Sequence, residues 1–322
     1  MPRNGLFVNE FWVVLGAVLP VFCVVGAGAA LRRLDWLTEE ADASLLRLVI
    51  NVFSPCLILT TILGNAALRN IGNLLVAPLV GFGTVAGGIL LAWSCRRFAG
   101  LRNTHEQRTF AVSTGIYNYG YVPIPLAILL YGEDTLGVLF VHNVGVEIGL
   151  WTVGLLFLTG APLGKEWHKA INPPLVAIVI GLIINLLGGA QWVPGFVLAT
   201  IKMLGQCAIP LGILLIGTTI ADKFHEFHSK SAWRLISTAN LLRLVVLPVG
   251  FVVMARFLPV SVELKRVILL QAAMPAAVFP IVMARHYGGD TATVLRVVIT
   301  SSAASLVTTP LWIRLGTYWI GL

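Results

Sequence analysis

The chain has 322 residues, of which 57% are hydrophobic and 11% charged, with a mean hydropathy of +0.89 and a formal net charge of +8. A water-soluble domain of this length needs far more polar surface, so the composition excludes one and implies a polytopic membrane protein. The positive balance does not mark a nucleic-acid binder, because the lysines and arginines fall in short stretches between apolar runs, where they set orientation in a bilayer.

A hydrocarbon core roughly 30 Å thick takes about 20 apolar residues per helix. Windows of that length predict ten spans, near residues 11–31, 43–64, 72–93, 109–131, 136–159, 173–188, 196–220, 235–256, 264–284 and 292–313. The first is long enough to cross and is followed by Arg32 and Arg33 rather than by a small-residue cleavage site, so it reads as a helix and not as a signal peptide. The second carries Asn51, Ser54 and Pro55, and the third a Gly87-Gly88 pair suited to a close helix contact.

The fourth span is the unusual one. It reads GIYNYGYVPIPLAILLYG from Gly115, with Asn118, Gly120, Pro123 and Pro125 near its middle. Proline costs roughly 3 kcal/mol or more inside a helix, and irregular backbone at membrane depth is tolerated only where it is buried in protein or lines a cavity. Asn118 is therefore expected either to meet a ligand or to satisfy the backbone groups freed there, and at most one or two of Tyr117, Tyr119 and Tyr121 to face that ligand. The fifth span holds Glu147, with His142 and Asn143 one turn away. An ionisable residue so placed is usually functional, and proton coupling or pairing with a buried base is the expectation, against a neutral structural carboxyl. Residues 161–172 form a polar joint.

Beyond the joint, the seventh span carries Lys202, Gln206 and Pro210, and the eighth carries Arg243, the most central base, expected to pair with Glu147 or to attract an anion. Pro275 and Pro280 break the ninth as Pro123 and Pro125 break the fourth. Arg47, Lys202 and Arg296 lie near span ends and are expected to reach headgroups. The four cysteines form no CxxC pair and are expected to serve packing; HEFH at 225–228 lacks a third ligand, and no nucleotide-binding loop is present. No cofactor, metal site or enzymatic constellation is expected.

The chain also repeats itself. Tyr131-Gly132, Asp134-Thr135 and Val138-Leu139 match Tyr287-Gly288, Asp290-Thr291 and Val294-Leu295, and Pro55 in SPCLIL matches Pro210 in IPLGIL. A period that covers five spans, an odd number, turns the second copy over in the membrane. Residues 1–160 and 173–322 are thus read as two inverted five-helix repeats, an all-α architecture common among secondary transporters, with binding expected at the paired breaks. Half-helix N-termini meeting there carry partial positive charge, so an anionic ligand is expected. The distribution of basic residues places both termini outside the membrane.

QCAIPLGILLIGTTIA at 206–221, Asn118 with Gly120 and the following prolines, MPAAVFPIVMARHYGGD at 274–290 and SSAASLVTTPLW at 301–312 resemble the auxin efflux carrier family, the bacterial relatives of plant auxin carriers, along nearly the whole chain. The resemblance implies a scaffold of helices 1, 2, 6 and 7, a moving domain of helices 3–5 and 8–10, crossing helices 4 and 9, and an elevator cycle in the inner membrane. Asn118 matches the family's crossover asparagine and Pro275 the break in helix 9. The sequence departs at Pro123, where relatives often have glycine, and in the second break, which lacks a polar side chain.

Implied substrates are auxin or small carboxylates such as malonate and malate. The candidate ligand-facing residues are Ser54, Asn118, Tyr119, Tyr121, Pro123, Pro125, Pro275, Ala276, Val278 and Pro280, with Glu147, Asn143 and Arg243 assigned to coupling. The partners expected are that anion and the lipid bilayer, with homodimerisation as an option and no nucleic acid. A sodium-coupled symporter and a ligand sensor that transports nothing are the competing readings.

Overall fold

A computed structural model gives the structure. It describes residues 3–160, 173–223 and 232–322, so the polar joint and HEFH lie outside the described residues. Those residues form twelve helices, written α1 (Arg3–Arg33), α2 (Glu39–Ile62), α3 (Ile71–Ser94), α4 (Thr104–Gly115), α5 (Pro123–Tyr131), α6 (Glu133–Thr159), α7 (Pro173–Leu186), α8 (Gly195–Asp222), α9 (Trp233–Phe257), α10 (Val262–Ala273), α11 (Phe279–Tyr287) and α12 (Thr291–Ile320). Among them α2, α3, α6, α8, α9 and α12 are long and apolar enough to cross a membrane. Large apolar side chains on the outer surface, such as Phe196 at 76% and Phe257 at 75% exposure, suit a lipid surround.

Local chemistry sets the ends. Asn103 Oδ1 accepts from His105 N to cap α4, Ser261 Oγ accepts from Leu264 N to cap α10, and Asp290 Oδ2 accepts from Thr293 N to cap α12. Gly132 and Gly288, both at positive φ, end α5 and α11. The two short pairs match in length: α4 and α10 have twelve residues each, α5 and α11 nine each.

The prolines of the breaks act differently from the expectation of a spoiled helix. Pro123 is the first residue of α5 and Pro280 the second of α11, where a missing N–H costs no internal hydrogen bond. What is interrupted is the chain before them, Ile116–Val122 and Met274–Val278. Three further distortions are π-type turns at Val49–Phe53, Leu150–Gly154 and Leu242–Val246, in α2, α6 and α9; the first and third run into Pro55 and Pro248, and the second has no proline beside it.

The helices pack in two sets. In the first, α1 lies along α8, and α2 packs on α7 and α8. Arg32 binds this set at one end, pairing with Asp42 and, at 2.8 Å, with Asp222, while Thr218 donates to Asp42 at 3.0 Å. In the second, α3 packs on α4 and α6, α9 and α10 on α12, and α12 on α4. The approach of α3 and α6 is made by glycine: a Cβ on Gly145 would fall inside the Pro78 carbonyl group and 2.8 Å from Phe82 N. Of the glycine pair in α3, only Gly88 makes the close contact, against Gly115 at the end of α4; Gly87 faces open space.

The cysteines are free, and Cys23 and Cys207 are exposed, which corrects the expectation that all four are packing residues. Asn51 bonds back to the Arg47 carbonyl in its own helix, and Gln206 is exposed, so neither joins the interior.

Candidate functional site

The two interrupted stretches run past each other in opposite directions and bond through main chain alone. Asn118 N–H donates to the Pro275 carbonyl at 2.8 Å, Ala277 N–H donates to the Ile116 carbonyl at 3.0 Å, and Tyr117 faces Ala276 across the bridge. Four helices end here: α4 and α10 enter, and α5 and α11 leave, so the N-termini of both nine-residue helices start beside the bridge.

Side chains of α6 and α12 hold the remaining polar backbone. Asn143 Nδ2 donates to the Tyr119 carbonyl at 2.7 Å, Ser301 Oγ accepts from Ala276 N at 3.2 Å, and Thr309 Oγ1 donates to the Ala273 carbonyl at 2.8 Å. Asn143 thus serves the first break and Ser301 the second. Gln271 Nε2 donates to Asn143 Oδ1 at 3.3 Å, and His142 Nδ1 lies 3.4 Å from the same oxygen, so a buried polar chain runs from α10 through α6 to the crossover. Such a chain is costly to leave half-made in a low-dielectric interior.

The alternating tyrosines go three ways. Tyr117 is fully buried and shares a 2.7 Å hydrogen bond with Thr84 of α3. Tyr119 donates its hydroxyl proton to Glu147 at 2.8 Å. Tyr121 lays its ring over Gly212 of α8, at a place where a Cβ would collide with it. Asn118 is buried, and its amide oxygen accepts from Gly120 N at 3.4 Å. That is the backbone-satisfying role expected as the alternative to ligand contact, and among the described residues its amide nitrogen has no hydrogen-bond partner.

Glu147 does not pair with Arg243. Its second oxygen accepts from Trp151 Nε1 at 3.1 Å, so both carboxyl oxygens are engaged by aromatic donors. Arg243, on the π-type turn of α9, is fully buried with its Cζ 5.3 Å from the Tyr117 ring centre and 5.5 Å from that of Phe251. The second break has apolar walls: Pro275, Ala276 and Pro280 are buried and Val278 half-buried. Pro123 is buried and Pro125 half-buried, within the first turn of α5. Ser54 lies apart, half-buried just after the π-type turn of α2, with no hydrogen bond to the crossover recorded among the described residues.

Sequence reasoning passed over Thr84, Trp151, Gln271 and Ser301. Gln271 carried a usable signal, as an amide in the middle of an apolar run; threonine and serine are too common in membrane helices to stand out.

A sequence family described as membrane transport protein matches residues 13–166 and 162–313. Over 302 residues, 92% of this chain and 96% of the other, the chain is 31% identical to an uncharacterized transporter of Methanothermobacter thermautotrophicus. It is 24% identical over 308 residues to an uncharacterized transporter of Methanocaldococcus jannaschii, covering 93% of this chain and 98% of that one. It is 22% identical over 315 residues to the uncharacterized transporter YfdV of Escherichia coli, covering 93% and 96%.

Proposed function

Because the chain belongs to the auxin efflux carrier family of membrane transport proteins, we propose that it is a secondary transporter that carries small organic anions, carboxylates above all, by alternating access at the crossover. With its several apolar helices it is a multi-pass membrane protein; the proposed site is the plasma membrane, with both termini outside. The observation that carries the reading is the main-chain bridge between the two interrupted stretches, from which α5 and α11 both start. Two helix N-termini directed at one place favour negative charge there, and a paired break at membrane depth is how transporter repeats build a substrate site.

In this reading α1, α2, α3, α4 with α5, and α6 are the first five spans. Spans α7, α8, α9, α10 with α11, and α12 follow as the inverted second five. The matched lengths of α4 and α10 and of α5 and α11 support it. The set α1, α2, α7 and α8 is the frame against which the other set moves, with Tyr121 on Gly212 at the boundary. Asn118, Tyr119 and Tyr121 face the cargo on one side and Ala276 and Val278 supply an apolar wall on the other.

Purified protein in liposomes is expected to give saturable uptake of labelled malonate, malate or indole-3-acetate above protein-free vesicles. Acids that bind yet never cross would sink the transport reading.

Glu147 is the proposed coupling group, since its carboxyl is held by Tyr119, whose main chain is in turn held by Asn143. Glu147→Gln is expected to keep exchange of labelled for unlabelled substrate while uptake no longer responds to an imposed pH gradient. A variant with undiminished gradient response would remove Glu147 from coupling.

A further inference from the structure

We propose that Arg243 is the fixed countercharge of the transported anion, binding its carboxylate through the guanidinium fork beside the crossover; this rests on the anion-transport reading above. Arg243 is fully buried, and none of its three side-chain nitrogens has a hydrogen-bond partner among the described residues. A guanidinium carries five donors in one plane. Burying it with none of them used costs several kcal/mol per ion, and that penalty is offset only by an acceptor that reaches the fork.

The described residues do not supply that acceptor. Glu147, the carboxylate in the adjoining polar chain, already accepts from Tyr119 and Trp151. The recorded ion pairs of Asp42 and Asp222 lie at the far end of α2 and α8, on Arg32. The rings of Tyr117 and Phe251 meet edge to face at 5.7 Å, and both lie close to the guanidinium, which they attract without accepting its hydrogen bonds.

Tyr117 is itself a member of the main-chain bridge, so only its side chain separates the cation from the residues that link the two interrupted stretches. A π-type turn at Leu242–Val246 re-aims α9 at this residue, and such turns recur at functional sites. A planar carboxylate matches the fork with two parallel hydrogen bonds. A lysine in its place keeps the charge but not the fork.

The test is a thermal-shift and binding titration of the full-length protein with acetate, malonate, malate and indole-3-acetate, and with malonamide as an uncharged control. At least one acid is expected to raise the unfolding midpoint of the unmodified protein, and malonamide to leave it unmoved. Arg243→Gln is expected to weaken that acid by at least about thirtyfold, and Arg243→Lys to give an intermediate affinity. If the acid binds the glutamine variant as tightly as the parent, the countercharge assignment is overturned while the transport reading stands. If no acid shifts or crosses with the parent protein, the anion reading itself fails. Should the glutamine variant not fold, the lysine variant decides: parental affinity there overturns the assignment, and weakened affinity with an unchanged ligand-free midpoint supports it.

Discussion

Gly145→Ala is expected to cost about 3 kcal/mol, the upper end of what overpacking a tight contact costs, and to lower the unfolding midpoint in detergent well below that of the parent. The added methyl would occupy the Pro78 carbonyl and press on Phe82 N, both main-chain groups of α3 that no rotamer change can move. Relief requires α3 and α6 to separate, and with them the frame that carries Asn143 and Glu147 to the crossover. Gly87→Ala supplies the matched comparison, because a methyl there meets nothing within 4 Å. In a helix it is neutral or stabilising by up to about 1 kcal/mol. Equal midpoints for the two variants would mean that α3 and α6 do not meet at this seam.

Asn118→Ala is expected to weaken carboxylate binding by about 1.5–3 kcal/mol, the usual worth of a hydrogen bond to a charged group, with little change in the ligand-free midpoint. Its contribution to the bridge comes from main-chain N–H, which alanine keeps, and the side-chain bond it loses, to Gly120 N, is a long one at 3.4 Å. Asn118→Asp removes the amide donors and adds a negative charge beside the two helix N-termini, and uptake is expected to vanish. Both are read by titration and by liposome flux. Parental binding in the alanine variant would confine Asn118 to the turn it makes with Gly120.

The architecture was largely legible because its signals are coarse. Apolar length pointed to the helices, of which six among the described residues are long and apolar enough to cross a membrane, and proline with glycine located both breaks, although the ends shifted: α4 begins at Thr104 and α12 runs to Ile320. The matching residues 131–139 and 287–295 pointed to a repeat, and the short helices beside the two breaks, α4 with α10 and α5 with α11, do have equal lengths. Partnerships were less legible. Glu147 and Arg243 looked like a pair because opposite charges in apolar spans invite pairing, yet each finds aromatic groups instead. The three tyrosines at 117, 119 and 121 could not be sorted from their spacing, since an extended segment would put all three on one face and a helix would spread them, and the chain here is regular as neither. Nothing local distinguishes Ser54 from any helical serine, and its separation from the bridge appears only when the chain is folded.

The bridge between the breaks uses N–H and C=O groups that every residue but proline possesses. What bridges the two interrupted stretches is therefore written in no side chain. Tyr119 or Val278 can be exchanged without removing a hydrogen bond of that bridge. Only a proline at 118 or 277 would strike at the clasp itself, and it would do so whatever the cargo.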